Sequence, residues 1–425
     1  MKKTEFVRDW ICNGQPVTLP HDAMIHENRK PDAPGSSGHA YFPGGVYTYE
    51  KKFDVTAEQV GKPMLLHFEG VYRNSVVTVN GLEAGGCTYG YIPFTVELTK
   101  LVHAGENTVS VRVDNSQLPN SRWYSGSGIY RPVWLVTAEE DHIAFEGVKV
   151  DTVSIDPAKI RVRTEIVGSG DIAIEIKDAQ DRTVAEDQGA DAALEIRNGK
   201  LWSAETPNLY TAHVTLKKDG KIVDEETVAF GIRQIAWSNQ GLFINGENTL
   251  LRGGCIHHDN GILGAATYDE SEYRRAKLLK EAGFNALRIS HNPASRALLE
   301  ACDKVGLYVM DETWDMWYNH KTKFDYATDF LANWKDDLTK LVNRDYNHPS
   351  VIMYSIGNEI SEPATEKGVS LAKEMVDLLH QIDPSRAATG GINLMIITRS
   401  AKGNAIYKED GSGRSDEKKQ RIPPA

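Results

Sequence analysis

The chain has 425 residues, 40% hydrophobic and 25% charged, enough for two to four domains with buried cores and unlike a disordered or collagen-like composition. Its 48 Lys and Arg face 59 Asp and Glu, a net charge of −11; no nucleic-acid or anionic-membrane partner is expected, because such binding draws on an excess of cations. No uncharged apolar run nears the ~20 residues of a membrane span, MKKTEFVRDW at the start lacks the apolar stretch of a secretory leader, and Cys12, Cys87, Cys255 and Cys302 are too scattered for a zinc site or a disulfide framework, so a cytoplasmic protein with buried, reduced thiols is expected.

Residues 1–137 read as all-β. Val76, Val77, Thr78 and Val79 run into Asn80-Gly81, the strongest short hairpin signal. Val109, Val111 and Val113 alternate onto one face. Gly and Pro cut the segment into short pieces, as a sandwich or jelly roll requires. Aromatic residues gather at 122–131, in Arg122-Trp123-Tyr124-Ser125-Gly126-Ser127-Gly128-Ile129-Tyr130-Arg131; they are core, or an exposed set able to stack on a sugar ring.

Residues 138–235 have the size and alternation of one immunoglobulin-like sandwich, clearest at 160–163 and 172–176. No reactive side chains cluster there, so the segment reads as a spacer that orients its neighbours.

From 236 to the end the pattern alternates strand and helix. Strands are expected at 251–257, 286–290, 307–311, 351–356 and 387–391. A helix should follow Thr267, whose spacing to Glu270 makes a capping box. Further helices follow Pro293, one carries Phe330, Trp334, Leu338 and Leu341, and one carries Met375, Val376, Leu379 and Ile382. Repeated βα units with apolar strands mean a parallel sheet under helices, either a barrel or an open doubly wound sheet. The absence of a GxGxxG or Walker loop after the first strand counts against a nucleotide fold.

Polar residues collect after these strands: His257-His258-Asp259, Ser290-His291-Asn292, Asp311-Glu312 with Trp314, Asp315 and Trp317 beyond, and Asn358-Glu359. Active sites of parallel βα folds lie at these C-terminal strand ends. His257, His258, Asp259 and His291 are also potential metal ligands, but no ligand-spacing motif supports that reading. Carboxylates for acid–base work, Trp as an apolar floor, and Asn and His to bind hydroxyls suit a carbohydrate whose glycosidic oxygen is protonated by a carboxyl.

Asn347-His348-Pro349-Ser350-Val351-Ile352-Met353-Tyr354-Ser355-Ile356-Gly357-Asn358-Glu359 resembles the acid/base signature of glycoside hydrolase family 2, the family of β-galactosidases, β-glucuronidases and β-mannosidases. Asn285-Ala286-Leu287-Arg288-Ile289-Ser290-His291-Asn292-Pro293, continued by residues 306–312, resembles its other barrel signature. Leu19-Pro20-His21-Asp22 and Gly128-Ile129-Tyr130-Arg131-Pro132-Val133 resemble its N-terminal sugar-binding domain, and Gly231-Ile232-Arg233 the exit from its immunoglobulin-like domain. The resemblance spans residues 15–390. It implies a jelly-roll sandwich, an immunoglobulin-like sandwich and a (β/α)8 TIM barrel, a retaining mechanism with two glutamates, and no organic cofactor.

Residue by residue, the resemblance implies that Glu359 is the general acid/base and that Asn358 binds the sugar 2-hydroxyl. His257 and His291 match sugar-contacting histidines. Glu312 matches a carboxylate that holds Mg2+ in some β-galactosidases. Asn120, Arg122 and Trp123 lie where the first domain reaches toward the pocket. Tyr354 stands where the signature has Trp, and Asn292 where many members have Tyr. The variants look more like the β-galactosidase subgroup; β-glucuronidase, β-mannosidase and a non-catalytic carbohydrate-binding fragment are the alternatives, and a homo-oligomer is a further expectation. The family nucleophile is a second Glu after the seventh strand. From 236 the chain offers fewer than the ~250 residues of a barrel, so only about five strands are expected, with a polar tail from about 392 and loop at 402–420. Glu362, Glu366, Glu374, Glu409 and Glu417 follow no apolar strand, so the chain is expected to lack the nucleophile and to be inactive alone.

Overall fold

The computed structural model describes residues 1–403 and Tyr407. The first part is a sandwich of two antiparallel sheets. One holds six strands in the order Gln15–Val17, Trp10–Cys12, Val46–Val55, Gly105–Asp114, Ser75–Val79 and Leu82–Cys87; the other holds Lys2–Glu5, Val133–Thr137, Met64–Phe68 and Phe94–Glu97. The hairpin at Asn80-Gly81 forms with Val79 opposite Leu82. Val111 faces Tyr49 on one side and Val77 on the other, and Val109, Val111 and Val113 are wholly buried with Trp10, Leu66 and Phe68. Period-two patterning thus builds the core directly.

The second part is a smaller sandwich of a three-stranded sheet, His142–Ile155, Ala158–Val167 and Asp191–Glu195, and a four-stranded sheet, Thr183–Gln188, Asp171–Lys177, Tyr210–Lys218 and Lys221–Phe230. Ile160, Val162, Ile174, Ile176, Val214 and Leu216 fill it. A hairpin, Ile235–Ser238 with Gly241–Ile244, leads out of it.

Then come five parallel strands: β1 (Gly253–Ile256), β2 (Ala286–Ile289), β3 (Tyr308–Glu312), β4 (Val351–Asn358) and β5 (Ala387–Gly391). Helices α1 (Asp269–Glu281), α2 (Arg296–Val305), α3 (Ala327–Asp345), α4 (Glu366–Ile382) and α5 (Leu394–Ala401) follow them in turn. Strand order in the sheet equals chain order. An open doubly wound sheet would reverse at a switch point; a steady progression is the arc of a barrel. Among the described residues β1 and β5 are the sheet's edges. No helix of the described residues is long and apolar enough to cross a membrane.

Some local expectations change. The capping box at Thr267 does not form: the Thr267 amide donates to Tyr130 O at 2.9 Å and its hydroxyl to Ala265 O at 3.2 Å. These bonds fix Thr267 against the sandwich, so α1 begins after Tyr268, with Asp269, Glu270 and Glu272 in its first turn, where the helix dipole favours acids. α2 is capped by Ser295, whose Oγ accepts from Leu298 N at 3.1 Å, and ends at Gly306 with φ +79°, a conformation that suits glycine. The expected polar tail from 392 begins instead with helix α5, capped by Asn393 accepting from Met395 N at 3.1 Å. Of the 402–420 stretch, all but Lys402, Gly403 and Tyr407 lie outside the described residues. Cys12 and Cys302 are buried, but against the expectation of buried thiols Cys87 is half-buried and Cys255 is exposed.

The immunoglobulin-like part holds the start of β4 in place. Asn347 Nδ2 donates to Val148 O at 2.7 Å and Asn347 Oδ1 accepts from Val150 N at 2.9 Å. Arg233 donates through Nε to Pro349 O at 2.6 Å and through Nη2 to Val351 O at 2.9 Å. From the barrel side, Asp303 accepts from Ser350 N at 3.0 Å and pairs with His348 Nδ1 at 2.5 Å. Burial opposes the His348 charge, but the Asp303 carboxylate overcomes it and raises the His348 pKa above its ordinary value. A proton bound more tightly in the fold stabilises fully below the unfolded pKa of ~6.5 and ceases to as pH rises through the folded value. Denaturant midpoints should therefore fall as pH rises above about 6.5. In His348→Gln this part of the slope should flatten; an unchanged slope would remove the pair from the account.

Candidate active site

Glu312, the last residue of β3, has no exposed surface. Its Oε2 accepts from Arg288 Nη2 at 2.7 Å and from Ser355 Oγ at 2.6 Å, and its Oε1 meets His291 Nδ1 at 2.7 Å. The ionised carboxylate calls for a donor at Nδ1, which leaves His291 Nε2 for another partner. Arg288 Nη2 also donates to Asn358 Oδ1 at 2.8 Å.

Asp315, on the loop after β3, is equally buried. Arg122 clamps it from the first domain, Nε to Oδ2 at 2.9 Å and Nη2 to Oδ1 at 2.6 Å. Lys321 Nζ donates to Oδ1 at 2.9 Å and Asn358 Nδ2 to the same oxygen at 2.8 Å. Burial pushes the Asp315 carboxyl up, but Lys321 and Arg122 outweigh it and hold the group ionised, far below the usual carboxylate range. Asn358 is thus fixed at both ends of its amide, between the Glu312 and Asp315 clusters.

Glu359 follows β4 in the left-handed region, φ +46°, and its amide donates to Gly391 O at 2.6 Å. This turn lifts the carboxyl out of the strand, a third of the side chain exposed. Glu359 Oε2 accepts from Tyr407 Oη at 2.5 Å and lies 3.6 Å from Arg122 Nη1; Oε1 accepts from Asn393 Nδ2 at 3.4 Å. The Tyr407 ring lies 4.7 Å from the Arg122 guanidinium and 5.5 Å from the Lys321 ammonium. Burial again raises the carboxyl's pKa, and again the donors win: Tyr407, then Lys321, Arg122 and Asn393, hold Glu359 below its ordinary value.

Trp123, His257 and His291 form an aromatic group. Trp123 lies 5.2 Å from His257 and 5.7 Å from His291, and the two imidazoles are 5.6 Å apart. Burial, then the neighbouring His291, lowers the His257 pKa, which favours the neutral ring. Trp123 Nε1 donates to Tyr91 Oη at 3.1 Å, which fixes the indole plane.

The structure therefore brings Glu359, Asn358, His257, His291, Arg122 and Trp123 to one end of the sheet. Four other expectations change. Asn120 is buried and its amide is spent on Asn115, Gln117 and Tyr72, so it braces the loop behind Trp123 and has no group left for a sugar. Trp314 and Trp317 are core, so neither lines the site beside Trp123. His258 is buried with Nε2 on Ser125 O at 3.0 Å, a tie between domains. Glu312 does not fit Mg2+. Both of its oxygens are engaged, one by a guanidinium that would repel a second cation, and no group of three or more His, Cys, Asp or Glu among the described residues could hold a metal.

Arg288, Lys321 and Tyr407 carry roles that the sequence reading missed. A lone Arg beside Ala286, Leu287 and Ile289 was a readable signal, because a cation inside a strand run needs a buried partner. Lys321 and Tyr407 lie in irregular segments with no period to read. Tyr407→Phe should remove one donor to Glu359 and raise its pKa toward the ordinary ~4.3. Carboxyl carbon NMR of Glu359 against pH measures it; a lower or unmoved titration would show that the Tyr407 hydroxyl does not hold the ionised form.

The descriptions "Glycosyl hydrolases family 2, sugar binding domain", "Glycosyl hydrolases family 2" and "Glycosyl hydrolases family 2, TIM barrel domain" match residues 33–139, 135–233 and 235–398. The chain is 36% identical to beta-galactosidase BoGH2A of Bacteroides ovatus over 89% of its own length and 50% of that protein. It is 31% identical to a beta-glucuronidase of Bacteroides fragilis over 82% of its length and 55% of that protein. It thus spans about half the length of these curated relatives. A solved glycosyl hydrolase family 2 member from Bacteroides cellulosilyticus superposes with a TM-score of 0.89 at 36% identity, over 92% of this chain and 56% of that one. A beta-glycosidase from Bacteroides vulgatus does so with a TM-score of 0.86 at 33% identity, over 92% and 54%. With all three domain descriptions matched in order along it, the chain belongs to glycosyl hydrolase family 2.

Proposed function

We propose that this chain is part of a retaining exo-β-glycosidase that removes a terminal, neutral β-linked sugar of the β-galactoside class, with Glu359 as its general acid/base. One observation carries the substrate class: the cations at the site are spent. Arg122 is on Asp315 and beside Glu359, Lys321 is on Asp315, and Arg288 is on Glu312. A uronate needs an uncommitted cation for its carboxylate, and among the described site residues none is offered. A neutral pyranose needs what is present: the Trp123 ring, the histidine rings and the fixed Asn358 amide. Relatives named for galactoside and for glucuronide are both similar to this chain, and charge favours the former.

In this reading the sugar's C–H face lies on Trp123, His257 and His291 bind its hydroxyls, and Asn358 binds the 2-hydroxyl. Glu359 protonates the glycosidic oxygen as a second carboxylate attacks the anomeric carbon, then takes the proton of the attacking water. Retention requires that carboxylate ~5–5.5 Å away. Glu312 and Asp311 are unsuited to this role, since both are wholly buried and ion-paired. The nucleophile comes from outside the described residues, and the 425-residue chain should not turn over nitrophenyl β-galactoside.

The test is leaving-group dependence in the protein that carries the rest of the barrel. Glu359→Gln should slow disaccharide hydrolysis by at least ~10²–10⁴ and leave the enzyme's glycosylation by aryl galactosides with acidic phenols nearly normal. Equal losses for both classes would mean that Glu359 does not protonate the leaving group. Preference for nitrophenyl β-glucuronide over the galactoside would overturn the charge argument.

A further inference from the structure

The Leu19-Pro20-His21-Asp22 motif supplies nothing to the sugar site directly, yet Asp22 is only 1% exposed. Its Oδ1 accepts from the amides of Met24 and Ser127, each at 3.0 Å. Its Oδ2 accepts from Tyr124 Oη at 2.6 Å and from the Ala265 amide at 2.9 Å. These donors belong to three stretches far apart in sequence: the motif's own segment, the aromatic loop of the first domain, and the loop after β1. An anionic carboxylate is costly to bury, and burial here outweighs the four donors and raises the Asp22 pKa; the four charge-assisted bonds offset part of that cost, and only if all three stretches hold their places.

Two glycines let the backbone come this close. Gly126 (φ +70°) and Gly264 (φ +61°) lie on the two loops, and a Cβ would stand 2.9 Å and 2.3 Å respectively from Asp22 Oδ2. Both loops lead into the candidate site. Tyr124 and Ser127 follow Arg122 and Trp123 in one; Ala265 lies beyond His257 and His258 in the other, where His258 already reaches Ser125 O at 3.0 Å. The contact of Trp123 with His257 at 5.2 Å and with His291 at 5.7 Å depends on how these loops sit against each other.

We propose that Asp22 is a positioning residue whose carboxylate sets the spacing of the two loops, and through it the seat of Trp123 against His257 and His291 on which a pyranose lies. The second half of this statement rests on the glycosidase reading; the clasp itself does not. Hydrogen exchange and indole NMR on the 425-residue chain separate the two. In Asp22→Asn, exchange in residues 122–128 and 257–266 should rise together by about tenfold, the size expected for losing hydrogen bonds to a charged group. Exchange in strand Gly105–Asp114 should hold. Tyr124→Phe, which removes one donor of four, should give a smaller rise in the same two segments. The Trp123 indole N–H signal should move in Asp22→Asn, and its titration with methyl β-D-galactopyranoside should weaken by about tenfold. A rise confined to residues 19–27, or one spread evenly over the sandwich strands, overturns the clasp. A joint rise in both loops supports it whatever the sugar does; if the unaltered chain shows no sugar-induced shift, the seat for a pyranose is overturned while the clasp stands.

Discussion

Asp315 is a carboxylate cut off from water, and the site is arranged around keeping it ionised. An isolated anion there would take up a proton. Instead, a guanidinium from the first domain, an ammonium from the loop after β3 and an amide at the end of β4 converge on its two oxygens. Each of those groups also does something else. Arg122 reaches Glu359 and the Tyr407 ring, Lys321 binds the Asn358 carbonyl at 2.7 Å, and Asn358 passes its other end to Arg288. Removing the Asp315 charge would strip the buried Lys321 ammonium of its ion-pair partner and leave Arg122 only the more distant Glu359, so the cluster cannot be trimmed from one side.

The same logic divides labour among the three parts of the chain. The first sandwich supplies Arg122 and Trp123 from a loop tied to the barrel by the bonds of Asp22, His258 and Arg131, the last donating to Pro293 O at 2.9 Å. The second sandwich holds the entrance of β4 through Asn347 and Arg233, and β4 delivers Asn358 and Glu359 at its far end. A parallel sheet places the ends of its strands side by side, which explains how residues from three segments far apart in sequence meet.

What could be read in the sequence is what repeats or what ends a strand. Alternating valines, the Asn-Gly hairpin and the five apolar strands have a period, and the polar residues just past those strands converge because strand ends converge. Loops have no period, so Lys321 and Tyr407 were silent, and Trp314 and Trp317 read as an apolar floor for the site although they pack under α3 against Phe330. The Thr267 capping box failed for a tertiary reason: the Thr267 amide is taken by Tyr130, a partner more than a hundred positions away that no local window contains. Asn120 misled in the opposite way, since it is near Trp123 in sequence but spends its amide inside its own domain. Arg288 was legible and overlooked, as a cation within an apolar strand announces a buried carboxylate beyond the strand.

In the proposed reading, the charges at the site also explain why Glu359 alone would be an incomplete acid. Asp315, Glu312 and Glu359 are balanced by Arg122, Lys321 and Arg288, so the described cluster is close to neutral when all three carboxylates are ionised. In that balance Glu359 is held below its ordinary pKa, which suits a base and not a proton donor. A fourth carboxylate ~5–5.5 Å away would tip the sum negative, and like charges at that range raise a pKa. Glu359 would then carry its proton into the first step. Once the fourth carboxylate is consumed in a glycosyl bond, the cluster returns to balance, the Glu359 pKa falls, and the same residue is ready to take a proton from water. The exchange of roles that a retaining glycosidase asks of one carboxyl thus follows, in the proposed reading, from two cations fixed by Asp315 and one charge that appears and disappears opposite them.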